Sequence, residues 1–162
     1  MAKARARSIP RYDGNLCAGH LLVWTWRKMV GGHGECPVLM REYDRLAGMR
    51  ADALLAAFAT FLLLLGRGSR RILSVGPLYC PELTTDEERM LRLIAAAQSG
   101  EGALAGAHLA WLVKRECQGS VLKAVGNLAA SLTEAGVVLP PVSTGTRVAP
   151  VPLTMAKAEG WL

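Results

Sequence analysis

Cysteine is sparse in this chain, and so are the patterns that announce an enzyme or a sheet. Four cysteines in 162 residues are too few for a disulfide scaffold. There is no Gly-x-Ser-x-Gly and no phosphate-cradling glycine loop. No carboxylates pair on one helix face beyond the solvated Asp86-Glu87-Glu88. That leaves no nucleophile, base or cofactor signature, so the balance falls against an enzyme and no cofactor is expected. Nor is there an alternating-period strand, an internal repeat or a low-complexity block. No secretory leader is legible: Leu16–Trp26 follows a basic start but contains His20, runs into Arg27-Lys28 and lacks a small-residue cleavage site. The expected setting is the cytoplasm, with reduced thiols.

Long apolar runs are also scarce. The longest, Ala53 to Gly66, holds 14 uncharged residues. At about 1.5 Å per residue it spans roughly 21 Å, against about 30 Å of hydrocarbon in a bilayer. A core helix is therefore preferred to a membrane span. Ala51–Leu65 is built of alanine, leucine and phenylalanine apart from Asp52 and Thr60. A helix apolar on every side is expected to be buried on every side. Gly66 is placed to cap it in the left-handed conformation, with Arg67, Arg70 and Arg71 behind it where a helix dipole favours cations. This is the expected centre of the fold.

The other segments read as helices around it. Residues 1–12 carry Lys3, Arg5, Arg7 and Arg11 and no acid, a basic mobile arm. Asp13 caps a helix reaching Val30, stopped by Gly31-Gly32-His33-Gly34. Cys36-Pro37 opens the next, with Leu39, Met40, Tyr43, Leu46 and Ala47 at helical spacing. Thr85 and Glu88 suit a capping box before Met90, Leu91, Leu93 and Ile94, with a stop at Ser99-Gly100. A helix over 103–117 sets Leu104, His108, Trp111 and Val113 near one side, with His108 read as a core residue. A last helix over 121–135 buries Leu122, Val125, Leu128, Ala129 and Leu132. The expectation is an all-α, single-domain orthogonal bundle of about six helices over 13–136. Behind it lies an extended, proline-rich apolar tail over 137–162, which closes on Trp161-Leu162 and points to a homodimer.

Two constellations carry chemistry. Cys17-x-x-His20 and His33-x-x-Cys36 have the paired spacing of a structural zinc site. Yet Cys17 and His20 fall inside an apolar helix, where cysteine packs as a small hydrophobe, so packing is the preferred reading. Cys80, before proline and near the arginine cluster, has the surroundings of a reactive thiolate; the preferred reading is a half-buried loop cysteine.

The second is Leu83-Thr-Thr-Asp-Glu-Glu-Arg-Met-Leu-Arg-Leu-Ile-Ala95. It resembles the first helix of the helix-turn-helix domain of LuxR-type regulators over about a dozen residues. That resemblance implies DNA binding by residues 84–135, with Lys123 and Asn127 reaching the groove. The wider layout is similar to a family of small uncharacterised alphaproteobacterial proteins, from about Leu21 to Pro141. Gly32-His33-Gly34 and Cys80-Pro-Glu-Leu-Thr-Thr-Asp-Glu87 carry that likeness. It implies a helical fold and a bacterial cytoplasmic setting, and transfers no catalytic residue. With a formal charge of +6, the expected function is non-enzymatic binding of an acidic macromolecule, protein or nucleic acid, through Arg67, Arg70 and Arg71. The alternative is a DNA-binding regulator.

Overall fold

The computed structural model describes residues 15–78, 80 and 82–139, with side chains from residue 18 onward. The basic arm, the proline-rich tail beyond Leu139 and the dimer drawn from that tail lie outside the described residues. The described chain is all-α: α1 (Asn15–Val30), α2 (Pro37–Ala47), α3 (Ala51–Gly68), α4 (Thr85–Gln98), α5 (Gly102–Leu112) and α6 (Gln118–Glu134). A 3₁₀ turn, Gly48–Arg50, joins α2 to α3 in one helical stretch, Pro37–Gly68, so five separate stretches result among the described residues. By length and composition alone that stretch is apolar enough to cross a membrane. Strand-like pairing among the described residues includes an isolated antiparallel bridge, Ser69 to Val113.

The centre is not where composition places it. Nine consecutive residues of α1, His20 to Lys28, are buried, and nine residues make about two and a half turns, covering every side of a helix. By contrast α3 buries one stripe: Leu54, Phe58, Phe61 and Leu65 are fully enclosed. Asp52, Ala53, Ala56, Thr60 and Leu63 face outward, Leu63 with 53% of its surface open. The expectation of a central helix buried all round fails for α3 because its large side chains recur at helical spacing and its small ones fill the other side. Size, not hydropathy, has the period. Exposed alanine costs little.

Nor does Gly66 cap α3. The helix runs on to Gly68, whose missing side chain admits a neighbour: a Cβ there would lie 2.8 Å from Cys117 Cβ. This contact sets α3 antiparallel to α6, the Arg50–Glu134 ion pair (2.6 Å) closing the opposite end. α6 packs against α3, α4 and α5 through Val121, Ala124, Val125, Leu128 and Leu132. Leu122, expected inside, is exposed. The helix expected over 103–117 ends at Leu112, because Arg70 N–H donates to Leu112 O (3.0 Å) and Lys114 N–H to Gly68 O (2.8 Å). Those bonds draw the chain into the bridge. A 3₁₀ turn, Arg115–Cys117, then leads to α6.

The capping box sits one residue earlier than the sequence suggests. Thr84 accepts from Glu87 N–H (3.1 Å) and the Glu87 carboxylate accepts from Thr84 N–H (2.8 Å). Glu87 is thereby turned inward, onto Arg27. Nε and Nη2 of Arg27 donate to the two Glu87 oxygens at 2.7 and 2.8 Å. Its remaining donors reach the carbonyls of Pro77, Cys80 and Glu82 at 3.0, 2.6 and 2.9 Å. All five guanidinium N–H groups are thus engaged. Gly76 N–H adds a bond to Glu87 (3.0 Å), and a Cβ at Gly76 would lie 2.9 Å from Arg27 Nη2. One buried arginine therefore ties α1, the loop over 76–82 and the start of α4 into a single unit.

Candidate functional site

The buried Arg27–Glu87 pair fixes where α4 starts, and with it the direction of the next carboxylate. Asp86, one residue earlier, points the other way. It accepts two bonds from Arg71 (both 2.7 Å) and one from Ser74 N–H (2.7 Å). The Arg71 guanidinium, first of all, and the Ser74 amide hold its carboxyl below the usual carboxylate range against the opposing effect of burial, with Arg89 nearby adding to the depression. Asp86 itself is 1% exposed while half of the Arg71 side chain stays in water.

One turn along α4, Arg89 places its guanidinium carbon 4.7 Å from the ring centroid of Trp111, on α5. A cation this close over an indole face is attracted by the ring quadrupole. Trp111 keeps 65% of its surface exposed. The α5 stripe that packs inward is Ala105, Leu109 and Leu112, which leaves Leu104, His108 and Trp111 turned away from the core. His108 is therefore not the core histidine expected. It is half-buried, and partial burial together with the positive charges of Arg92 and Arg89 pushes its pKa down.

Arg70 completes the rim. Its Nε donates to the carbonyls of Ala110 (2.8 Å) and Val113 (3.1 Å), on either side of Trp111, while the side chain remains exposed. The result is one connected face, running Arg71, Arg89, Trp111, His108, Arg92, with Arg70 on the backbone either side of Trp111. Its two acids lie beneath the arginines they pair with, Asp86 under Arg71 (2.7 Å) and Glu88 under Arg92 (3.4 Å), with side chains 1% and 13% exposed. Positive charge and one open aromatic ring dominate what faces solvent.

The three arginines of the sequence cluster have different surroundings. Arg70 and Arg71 join this face, each already using donors on the protein. Arg67 is exposed in the last turn of α3. Of the zinc candidates, three lie among the described side chains. His20 is buried in α1 with its ring 6.2 Å from that of Trp24. His33 is exposed in the loop, Cys36 is buried at the start of α2, and the side chain of Cys17 lies outside the described residues. Among the described residues no three His, Cys, Asp or Glu side chains gather to hold a metal. The groove candidates Lys123 and Asn127 are both exposed, one turn apart on the outer side of α6, beside Leu122, Gly126 and Ala130.

The face around Trp111 does not show as a run of arginines in the sequence. The available signal was spacing: Arg89-x-x-Arg92 on one helix and His108-x-x-Trp111 on the next, each pair one turn apart. No protein-family model, curated protein or solved structure matches the chain.

Proposed function

We propose that the protein binds an acidic macromolecule through the face formed by Arg70, Arg71, Arg89, Arg92, His108 and Trp111. The observation that carries this is Trp111, left 65% exposed under a guanidinium at 4.7 Å in the midst of arginines. Burying an aromatic side chain of this size removes about 150–250 Å² from water. The free protein forgoes that gain, and a bound partner would recover it. The surrounding cations select an anionic one, since like charges are repelled and opposite charges steered inward. The non-enzymatic reading and a cytoplasmic setting go with this proposal.

The test is retention on an anionic polymer, heparin, with and without charge reversal at Arg89→Glu and Arg92→Glu. The unaltered chain should elute late and the double variant early. Equal elution of both would move the binding surface elsewhere. A second reading puts α6 in the major groove of duplex DNA through Lys123 and Asn127. What favours it is that α4, α5 and α6 pack together with both residues exposed. Lys123 is the one cation among the exposed residues of α6, against several arginines around Trp111. Lys123→Ala combined with Asn127→Ala should abolish duplex binding on that reading and leave it unchanged on the first.

A further inference from the structure

The charge on this face accounts for an acidic partner; the ring says more. An indole with a guanidinium over one face and 65% of its surface exposed is a stacking platform already partly ordered for use. The carboxylates of an acidic protein are repelled by the negative face of an aromatic ring, so they engage the arginines and leave the indole unused. Duplex DNA hides its base faces inside the stack. A single strand offers both parts at once, splayed bases with π-faces and a phosphate every nucleotide. The placement of Arg70 matters here. Its Nε is anchored on the carbonyls of Ala110 and Val113, which fixes a guanidinium against the backbone that carries Trp111 while its Nη groups remain for a phosphate. Arg71 is likewise locked by Asp86 with half its side chain exposed. Anchored arginines lose little further freedom when they bind.

Resting on the acidic-partner reading above, we infer that the partner is single-stranded nucleic acid, one base of which stacks on the open face of Trp111 opposite Arg89. Neighbouring phosphates are taken by Arg70 and by the exposed half of Arg71, with Arg92, which pairs with Glu88 at 3.4 Å, adding to the surrounding field. Specificity for base identity is low, because every base has a face to stack.

The experiment is fluorescence anisotropy of the full chain with labelled oligo-dT and oligo-U of about 15 nucleotides, a length that covers the usual site. A duplex of equal length, poly-glutamate and anionic phosphatidylglycerol vesicles serve as comparisons. Both single strands should bind more tightly than the duplex, and affinity should fall as salt rises. A preference of one over the other tells DNA from RNA. Trp111→Ala should weaken single-strand binding about 5- to 100-fold, the usual worth of one base stacked on an aromatic, while Trp111→Phe keeps most of it. Should Trp111→Ala prove unstable, quenching of indole emission by unlabelled oligonucleotide in a Trp161→Phe background reads the same contact. Trp24 and Trp26 are each only 6% exposed and stay silent. Binding of poly-glutamate, duplex or vesicles as tight as that of single strands, with no loss in Trp111→Ala and no quenching, overturns the stacking inference and leaves the acidic-partner reading standing. Failure of every anion to bind at low salt sinks both.

Discussion

Arg27 and Glu87, 60 residues apart in sequence, meet as a doubly hydrogen-bonded ion pair in which neither side chain has any exposed surface. Burying two charges costs several kcal/mol for each, and the attraction between them offsets this only when geometry is good and every remaining donor and acceptor is used. Both conditions hold. The guanidinium has five partners, and Glu87 also accepts from the N–H groups of Gly76 and Thr84.

Breaking the pair from one side should therefore be severe. Arg27→Met leaves a buried carboxylate and strips the donor from the carbonyls of Pro77, Cys80 and Glu82. The expected loss is about 3–5 kcal/mol in urea denaturation. Replacing both partners, Arg27→Met with Glu87→Leu, often restores stability where a pair stands alone. Here the three carbonyls stay without a donor, so the double variant should remain below the parent. A loss under about 1 kcal/mol for Arg27→Met would show that the loop over 76–82 is held by something else.

That pair also explains what could and could not be read in advance. The all-α class and most helix boundaries were legible, because the helix stops at Gly31-Gly32 and Ser99-Gly100 and the proline of Cys36-Pro37 act locally. The centre was not. Thr25 and Arg27 look like the polar end of α1 until their remote partners are known: Glu87 for Arg27, and Tyr43, which donates to Thr25 Oγ1 (2.8 Å) while Thr25 donates to Leu21 O in its own helix (2.7 Å). Composition ranked α3 above α1 because it scores alanine as core, although alanine is as easily left outside. The candidate face failed to show for a related reason. Its members come from three segments, and only the i, i+3 spacings on α4 and α5 hint at them.

The two sides of α3 should respond in opposite ways. Phe58 is fully enclosed and lies 6.2 Å from the ring of Phe61, so Phe58→Ala should cost about 3–5 kcal/mol. Leu63, on the outer side and 53% exposed, should tolerate Leu63→Ala with a change near 0.5 kcal/mol. Chemical denaturation of both variants decides it. A loss under about 1 kcal/mol at Phe58, or a loss above about 2 kcal/mol at Leu63, would mean that the buried stripe of α3 is assigned to the wrong side.

His108 gives the protein a specific dependence on pH. Burial, then the charges of Arg92 and Arg89, lower its pKa from the ordinary 6.5, so the folded state favours the neutral ring. Above that value the ring is neutral in both folded and unfolded chains and adds nothing. As the pH falls through about 6.5 the unfolded chain takes up a proton first, and stability declines. The decline levels off once the pH is below the folded value, where both states are charged. The effect is modest because the ring is half in water, where solvent screens the arginines. Melting temperature followed from about pH 7.5 to about pH 5 should therefore fall less steeply in His108→Gln than in the parent. The difference between the two curves isolates this ring from His20 and His33. An anion seated among Arg89, Arg92 and His108 should reverse the preference, since it favours the charged ring, so the binding proposed for this face should tighten over the same interval. Superimposable melting profiles for parent and His108→Gln would show that the arginines do not act on this ring, and that His108 stands outside the face.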